Sequence, residues 1–301
     1  MAGGETIALT GGSGFIGRSF ASHARAADVR IRQLGRRPPV DPRDEWVPFD
    51  LDAPGLDPDA LAGCRTLVHL AGYIPARHDA IEEAERCLWT NALGTASLID
   101  LAARQGVDHV IQTSSANAYA PGAASPNEGA ALFPHSRRFY LGSKILQEIY
   151  ATDVCCRAGL SLTTLRLGSV YGPGQAMGAV GAMAQAARLG DPIRVADAGR
   201  FGADLVHVDD VAALMTSCLA RRLSETINVG SGERTTLATV AAILARMTGT
   251  PILIEPLSSA GGDHGFPALD ITRARALGYA PMPLATGLAT MLDLANGRDD
   301  S

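Results

Sequence analysis

A glycine-rich loop near the start of the chain constrains the fold more than any other feature. Residues 6–10 form a short apolar run of strand-forming residues, and Gly11, Gly14 and Gly17 follow it in the spacing G-x-x-G-x-x-G before a helical stretch. In a strand–turn–helix unit the first glycine permits the tight turn, the second lets the backbone approach a pyrophosphate, and the third allows close helix–strand packing. The helix N-terminus adds N–H donors and positive potential. The loop therefore predicts a dinucleotide-binding unit.

The segments after this loop alternate between predicted helices and predicted strands. A helix is expected over residues 15–27, and the strand-forming runs that follow are 29–34, 66–70, 110–113 and 162–166. Strands separated by helices indicate βαβ units with right-handed crossovers. The sequence therefore predicts an α/β fold with a doubly wound, Rossmann-like parallel sheet.

The alternation loosens after residue 174, where helical patches over 178–189 and 236–247 are separated by loops and the apolar segments 204–208 and 251–254. This change predicts a smaller C-terminal α/β lobe. We expect a dinucleotide-binding domain over residues 1–170, to which residues 203–230 return. Residues 171–202 and 231–301 are expected to form mainly the substrate-binding lobe.

Composition excludes several classes of protein. Hydrophobic residues make up 47% and charged residues 19% of the 301 positions, which is typical of a soluble globular protein. The formal net charge of −5 disfavours nucleic acid or an anionic membrane as the main partner. No basic segment precedes the first apolar run and no run approaches ~18 apolar residues, so neither a signal peptide nor a spanning helix is expected. Five cysteines without metal-ligand spacing predict free thiols, a cytoplasmic location and no metal site.

The end of the second predicted strand bears on which dinucleotide is bound. NAD-binding proteins place an acid there for the ribose 2′-hydroxyl, whereas NADP-binding proteins offer arginine to the 2′-phosphate. Here the residues are Leu34, Gly35, Arg36 and Arg37, with no acid. Because guanidinium matches phosphate oxygens geometrically, NADP is favoured, with NAD as the alternative. An exposed basic loop without a ligand is the remaining interpretation.

Further motifs follow in a consistent order along the chain. They are Asp50-Leu51, His69-Leu70-Ala71-Gly72, Asn91, the run 113–119 at a strand end, Tyr140-Leu141-Gly142-Ser143-Lys144, and the runs 166–173, 205–210 and 227–230. With the glycine loop, they make the chain resemble an extended short-chain dehydrogenase/reductase of the NAD-dependent epimerase/dehydratase type. The resemblance covers nearly the whole length and implies hydride transfer between a nicotinamide cofactor and a carbonyl or alcohol carbon.

The resemblance implies that Ser115, Tyr140 and Lys144 are catalytic. Reduction of a carbonyl needs an acid that delivers a proton as alkoxide charge develops, and Tyr140 is that acid, or the base in the oxidative direction. A free tyrosine has a pKa of about 10 and reacts slowly at neutral pH. Lys144, one helical turn later on the same face, favours tyrosinate and reaches the nicotinamide ribose. Ser115 hydrogen-bonds the substrate oxygen, and Ser114 is the alternative if the register shifts by one.

The resemblance also implies which residues hold the cofactor and the substrate. The cofactor set is Gly11, Gly14, Phe15, Ile16, Gly17, Arg36, Arg37, Asp50, Leu51, Leu70, Ala71, Gly72, Asn91, Tyr140, Lys144, Leu167 and Val170, and the substrate set is Ser115, Ala116, Asn117 and Ser169. The helices over 80–104 and 140–157 correspond to the pair that family members often pack into a two-fold four-helix interface, which implies a homodimer. His207, Asp209 and Asp210 correspond to a strand-to-helix junction in which an Asp caps the helix.

Departures from the family pattern narrow the reaction. Family 4,6-dehydratases carry an Asp-Glu pair where this chain has Ala116 and Asn117, and related 3,5-epimerase/reductases have Cys in place of Asn117, so neither reaction is expected. Relatives that bind a nucleotide-sugar diphosphate often carry arginine where this chain has Ala203, and a second one in the region of 260–267, which has none. Arg77, Arg194 or Arg200 could replace them in a rearranged pocket.

Three functions remain open at this point. The favoured one is an NADP(H)-dependent reductase or dehydrogenase acting on a ketone, an aldehyde or a sugar-like alcohol, with cofactor exchanged at each turnover. The second is a sugar or nucleotide-sugar epimerase with retained NAD, which would use the same catalytic residues. The third is a non-catalytic dinucleotide sensor, which the presence of Ser115, Tyr140 and Lys144 disfavours.

Overall fold

The computed structural model describes residues 5–52, 57, 59–78, 80–256 and 264–293. Its strands, in chain order, are β1 (Thr6–Thr10), β2 (Arg30–Gly35), β3 (Glu45–Pro48), β4 (Thr66–His69), β5 (His109–Ser115), β6 (Ser161–Leu167), β7 (Ser169–Tyr171), β8 (Ile193–Val195), β9 (Gly202–His207), β10 (Thr226–Val229), β11 (Arg234–Thr236) and β12 (Ile252–Ile254).

The helices are α1 (Phe15–Ala26), α2 (Ile81–Cys87), α3 (Thr95–Arg104), α4 (Arg138–Ala158), α5 (Ala179–Leu189), α6 (Val208–Arg221), α7 (Leu237–Thr248), α8 (Thr272–Ala276) and α9 (Leu284–Asp293). A π-helical segment, Leu88–Gly94, joins α2 to α3 without a break. Short 3₁₀ turns cover Ala116–Ala118 and Asp197–Gly199. None of the helices in the described ranges is both long and apolar enough to span a bilayer.

The central sheet runs in the order β10-β6-β5-β4-β1-β2-β3. Neighbouring strands from β6 to β3 pair in parallel. The strand order reverses between β1 and β4, which is the switch point where doubly wound sheets bind ligands. Ile7, Ala8 and Leu9 of β1 have no exposed surface, as expected for a strand covered on both faces. The fold class predicted from the sequence is confirmed.

The first compact unit comprises Met1–Pro121, Ala130–Leu167 and Val211–Ile227. Its buried apolar core includes Leu67 and Val110 of the sheet and Leu98 of α3. The long helix α4 follows Arg137, which has a left-handed backbone (φ 48°), and ends at Gly159 (φ 70°). This helix carries the motif from Tyr140 to Lys144 along its first turns and packs against both α3 and β5.

The second unit comprises Gly122–Gly129, Gly168–Asp210 and Asn228–Ser301. It contains a three-stranded sheet in the order β11-β9-β7 and a two-stranded parallel pair, β12-β8. Its core includes Tyr171, Val240, Leu244, Phe266 and Leu288. This is the smaller α/β lobe expected from the sequence.

The division between the units differs in detail from the expected one. The segment that returns to the first unit is Val211–Ile227 rather than 203–230, because β9 pairs with β7 and β11 inside the second unit. The short loop Gly122–Gly129 also groups with the second unit, although it lies within the predicted range 1–170.

Candidate active site

The glycine loop adopts the geometry that the sequence predicts for it. Gly11 has φ 72°, and a Cβ atom there would lie 2.6 Å from the backbone nitrogen of Ala71. A Cβ atom on Gly17 would lie 2.1 Å from the carbonyl oxygen of Gly11, so both positions need glycine. Helix α1 begins after Gly14 with no side-chain cap and no acid in its first turn. Its first N–H groups are therefore available to an anionic ligand.

A cavity of about 320 Å³ opens beside this loop. Nine of the predicted cofactor residues line it, namely Gly11, Gly14, Arg36, Arg37, Asp50, Leu51, Leu70, Ala71 and Gly72. The remaining members of that predicted set do not line it; they are Phe15, Ile16, Gly17, Asn91, Tyr140, Lys144, Leu167 and Val170. The cavity thus groups the glycine loop with the ends of β2 and β4 and the turn after β3.

Arg36 and Arg37 stand apart from the other arginines near β2. Both are exposed on the cavity wall, and neither guanidinium has an ion pair or hydrogen bond with a described residue. Three other arginines of this region form ion pairs: Arg25 with Asp44, Arg32 with Glu45 and Arg43 with Asp41. Two uncommitted guanidinium groups beside Gly35 therefore provide donors for a phosphate.

The cavity also contains a group of residues that the sequence analysis missed. The guanidinium of Arg86 lies 4.1 Å from the centre of the Tyr73 ring, and it also lies 3.6 Å from Asp52. Tyr73 donates its hydroxyl hydrogen to Glu83, and Thr90 donates to Asp52. No sequence pattern connects these residues, because three different segments supply them.

His69, at the end of β4, is a buried structural residue beneath the cavity. Thr95 donates to the carbonyl oxygen of Asn91 (2.6 Å), so it accepts from Nε2 of His69 (2.8 Å). Nδ1 of His69 then accepts from the Thr10 hydroxyl (2.8 Å), which itself accepts the N–H of Ala71. Burial, with the nearby charge of Lys144, lowers the pKa of His69 to about 3. The imidazole is therefore neutral at physiological pH and links β1, β4 and α3.

Asn91 lies in the π-helical segment and is fully buried. Its Oδ1 accepts the backbone N–H of Tyr73 (2.6 Å), and its Nδ2 donates to the carbonyl oxygen of Tyr73 (2.9 Å) and to the Ser143 hydroxyl (2.9 Å). These bonds use both amide hydrogens. Asn91 therefore holds the segment after Gly72 against α4, and this is the role that the structure gives it.

Ser115 closes β5 and begins the 3₁₀ turn Ala116–Ala118. Its Oγ accepts the N–H of Asn117 (3.3 Å), so the hydroxyl hydrogen stays available for another acceptor. Ser114 is buried, and its hydroxyl has no hydrogen-bond partner among the described residues. The half-buried Ser115 is thus the more accessible of the two candidate serines.

Tyr140 lies in the first turn of α4 and is half-buried. Burial raises the pKa of its phenol to about 12, the nearby Cys87 raises it further, and the charge of Arg137 lowers it. The charge of Lys144 is not among these influences. The predicted effect of Lys144 on tyrosinate therefore stays a prediction.

Lys144 is buried, and its ammonium donates to the side-chain oxygen of Gln147 (2.5 Å). Burial lowers the pKa of the amine to about 8, while the charge of Glu148 acts in the opposite direction. Glu148 itself binds Arg166 through both carboxylate oxygens. The ammonium of Lys144 is therefore held by a neutral acceptor.

The second unit holds the other predicted site residues. Ser169 and Val170 lie in β7 and pair with Leu205 and Val206 of β9. Ala203 is 3% exposed within the core of this unit, so its position offers no phosphate anchor. Half of the other region expected to lack an anchor, residues 260–263 of 260–267, lies outside the described residues.

His207 and the two aspartates after it are structural, as the sequence predicts, but the capping differs. Nδ1 of His207 accepts the N–H of Asp209 (3.3 Å), and Asp210 accepts the N–H of Met282 (2.8 Å). The prediction that an Asp caps α6 is wrong, because the imidazole does so. Across the described part of the chain, no His, Cys, Asp and Glu side chains form a group suited to a metal ion.

The residues present fit a nicotinamide dinucleotide. The glycines at 11 and 17 leave no room for a Cβ atom, the start of α1 has open donors, and Arg36 and Arg37 are uncommitted. These features lie at the switch point of a doubly wound sheet. Fold and site together define a Rossmann-like, dinucleotide-dependent enzyme.

The chain belongs to the NAD dependent epimerase/dehydratase family, whose model matches residues 7–230. It is similar to dTDP-L-rhamnose 4-epimerase of Burkholderia thailandensis, with 27% identity over 97% of each chain. It is also similar to dTDP-6-deoxy-L-talose 4-dehydrogenase (NAD(P)(+)) of Kitasatospora kifunensis, with 28% identity over 91% of this chain and 90% of that one.

Among solved structures, the chain is similar to MoeE5 in complex with UDP-glucose and NAD. The TM-score is 0.84 and the identity 26%, over 97% of this chain and 99% of the other. The protein is therefore a nicotinamide-dinucleotide-dependent enzyme of the extended short-chain dehydrogenase/reductase type. The relatives include both an epimerase and a dehydrogenase, so the particular reaction has to be argued from this chain's own residues.

Proposed function

We propose that the chain is an NADP(H)-dependent reductase or dehydrogenase that interconverts a carbonyl and a secondary alcohol on a sugar-like or other small substrate. The proposed cofactor preference rests on Arg36 and Arg37, which lie on the cavity wall and whose guanidinium groups form no ion pair with a described residue. Gly35 provides no carboxylate for a ribose 2′-hydroxyl. The name of the Kitasatospora relative, a 4-dehydrogenase (NAD(P)(+)), supports a dehydrogenase reaction and covers both cofactors.

The proposed chemistry divides between the cofactor and three side chains. A bound nicotinamide dinucleotide supplies or accepts the hydride. Tyr140 donates a proton to the substrate oxygen during reduction and takes it back during oxidation. The free hydroxyl hydrogen of Ser115 binds the same oxygen, and the ammonium of Lys144 favours the phenolate and binds the nicotinamide ribose.

The second candidate is a sugar or nucleotide-sugar epimerase with retained NAD. The Burkholderia relative named as a 4-epimerase and the MoeE5 complex with UDP-glucose and NAD favour it. The buried position of Ala203 counts against a nucleotide diphosphate held as in family members with arginine there. Both candidates use Ser115, Tyr140 and Lys144, so cofactor exchange is the property that separates them.

Cofactor occupancy and cofactor preference test this choice together. The purified protein is denatured and its supernatant assayed for NAD(P), and NADPH and NADH are then titrated by fluorescence. An empty protein that binds NADPH at least about tenfold more tightly than NADH is expected, since a charge-assisted hydrogen bond contributes about 1.5–3 kcal/mol. The double variant Arg36→Ala/Arg37→Ala is expected to lose this preference.

Arg43→Ala is the matched control, because Arg43 is an exposed arginine of the same region that is already paired with Asp41. It is expected to leave the NADPH preference unchanged. A protein that is purified with NAD bound and does not respond to NADPH would contradict the proposal and favour the epimerase.

We also propose that the chain forms a homodimer through α4 and the helical stretch from α2 to α3. Large apolar side chains are exposed along these elements, including Ile81, Trp89 and Ile149. Isolated exposed apolar residues are common, but several on adjacent helices indicate a contact surface.

The five cysteines are free, and this supports a cytoplasmic location.

A further inference from the structure

The side chain of Lys144 begins a buried chain of hydrogen bonds that enters the central sheet. Its ammonium donates to Oε1 of Gln147 (2.5 Å), and Nε2 of Gln147 donates to Oε1 of Gln112 in β5 (3.0 Å). Nε2 of Gln112 then donates to the hydroxyl of Thr164 in β6 (3.0 Å). Gln147, Gln112 and Thr164 are all at least 97% buried.

The ammonium of Lys144 fixes the donor and the acceptor in every hydrogen bond of this series. An ammonium group can only donate, so the oxygen of the Gln147 amide faces Lys144 and its nitrogen faces β5. That nitrogen requires an acceptor, which orients Gln112 with its oxygen toward Gln147 and its nitrogen toward Thr164. The carbonyl oxygen of Thr113 accepts from the same Gln147 nitrogen (3.4 Å). Each amide therefore has one satisfied orientation.

Two buried glutamines are costly unless their polar groups are paired, and an apolar pair would fill the same space. The arrangement gives the ammonium a neutral acceptor where a carboxylate would have cancelled its charge. The nearest acid on the same helix, Glu148, is bound to Arg166. Lys144 thus keeps its positive charge and, because an ammonium has three donors, keeps two of them for other partners.

We propose that Gln147 is a positioning residue for Lys144, held in place by Gln112 and Thr164, and that it fixes the ammonium while leaving its charge uncompensated. The catalytic value of this arrangement rests on the proposed function, whereas the hydrogen-bond chain does not. The titratable groups whose charges interact with Lys144 are His69 on β4 and Glu148 on α4. Tyr140 precedes Lys144 by four residues on α4, and its own pKa is influenced by Cys87 and Arg137.

A feature of the sequence makes the test direct. Lys144 is the only lysine among the 301 residues, since all other members of the 26 Lys and Arg residues are arginine. Protein labelled with ¹³C- and ¹⁵N-lysine therefore gives a single lysine side-chain signal in the NMR spectrum. Its pH titration reports the pKa of Lys144 in the cofactor-free protein, without any substrate.

Three variants are compared with the unchanged protein. Gln147→Met keeps the length of the side chain and removes the acceptor, so the Lys144 pKa is expected to fall by about one unit. Gln147→Glu places a carboxylate at the same distance and is expected to raise the pKa by about one unit or more. Gln105→Met is the control, because Gln105 accepts the N–H of Leu61 far from Lys144 along the chain, and it is expected to leave the pKa unchanged.

If Gln147→Met does not fold, as judged by circular dichroism, the double variant Gln112→Met/Gln147→Met removes both amides and leaves neither unpaired. The same fall in the Lys144 pKa is expected. The proposal is overturned if the Met variants leave the Lys144 pKa where Gln105→Met leaves it, or if Gln147→Glu does not raise it.

Turnover adds a second readout that separates positioning from packing. Gln147→Glu is expected to lower kcat with little change in KM, and to shift the pH profile of kcat by moving the ionisation of Tyr140 upward. An unshifted profile would overturn the catalytic part of the proposal. Because the NMR titration needs neither cofactor nor substrate, failure of the reductase proposal and failure of the Gln147 proposal give different results.

Discussion

Lysine and arginine have separate tasks in this chain. The 26 lysine and arginine residues include a single lysine, and it occupies the Tyr-x-x-x-Lys position. Guanidinium stays charged and suits paired contacts with carboxylates, as in the ion pairs around β2. An ammonium is compact, and burial lowers the pKa of Lys144 to about 8. The single lysine in the composition therefore marks position 144 as one that requires an ammonium rather than a guanidinium group.

Tyr140→Phe tests the proton donor directly. The phenyl ring keeps the shape of the side chain but carries no proton, so turnover is expected to fall by about 10²–10⁴-fold while cofactor affinity stays within a few-fold. Steady-state kinetics and a fluorescence titration measure the two quantities. Tyr150→Phe, on the same helix, is the control and is expected to retain the original rate. Full activity in Tyr140→Phe would assign the proton to another group.

At the scale of elements, local sequence patterns predicted the parts whose residues are adjacent in the chain. Strand β1 has the predicted bounds, and α1 ends one residue earlier than predicted. Strand β3 was missed, because its residues, Glu-Trp-Val-Pro, are mostly exposed and show no strand periodicity. It exists through parallel pairing with β2. The π-helical segment was missed as well, since its backbone pattern leaves no sequence signature.

The candidate site likewise divides into residues that local sequence patterns predict and contacts that only the folded structure shows. The glycine loop is recognisable from its spacing, and the resemblance to the family implies Ser115, Tyr140 and Lys144 as catalytic residues. The contacts of Arg86 with Tyr73 and Asp52 were not predictable from the sequence. The series of hydrogen bonds from Lys144 to Thr164 was not predictable either. Those contacts join residues far apart in sequence, and only the folded sheet brings them together.

Gly17→Ala tests the fit between the glycine loop and α1. The added Cβ atom would lie 2.1 Å from the backbone carbonyl oxygen of Gly11, and no side-chain rotation can move a Cβ atom away. A destabilisation of about 1–3 kcal/mol and a loss of dinucleotide binding are expected. Chemical denaturation and a cofactor titration measure them. Gly142→Ala, in α4 with no atom within 4 Å of the added Cβ, is the control and is expected to bind cofactor normally. Equal behaviour of the two variants would contradict the close packing at Gly17.

At the scale of the whole molecule, the proposed dimer predicts a surface whose disruption separates the chains. Trp89 is 58% exposed and Ile149 is 54% exposed, and α4 packs against the segment that carries Trp89. Trp89→Glu is expected to convert the dimer to a monomer in light-scattering measurements, because the charge would be desolvated in the interface. Val40→Glu changes an even more exposed apolar residue away from these helices and is expected to leave the dimer intact. If the protein without substitutions is already a monomer, the dimer proposal is wrong.

Global stability is expected to depend on pH through His69. Burial lowers its pKa to about 3 in the folded protein, whereas an exposed histidine has a pKa of about 6.5. Between these values the unfolded chain binds a proton that the native state does not, so the free energy of unfolding falls as the pH drops below about 6.5. The contribution of one such group is about 1.4 kcal/mol per pH unit.

His69→Gln isolates this contribution, because the glutamine nitrogen can still donate to Thr95 but does not titrate. Urea denaturation between pH 6.5 and pH 4 is expected to show a shallower loss of stability in the variant. Burial also lowers the pKa values of His109 and His207, so part of the slope remains. Identical slopes in the two proteins would mean that His69 is protonated in the native state. Nδ1 of His69 would then donate to the Thr10 hydroxyl instead of accepting from it.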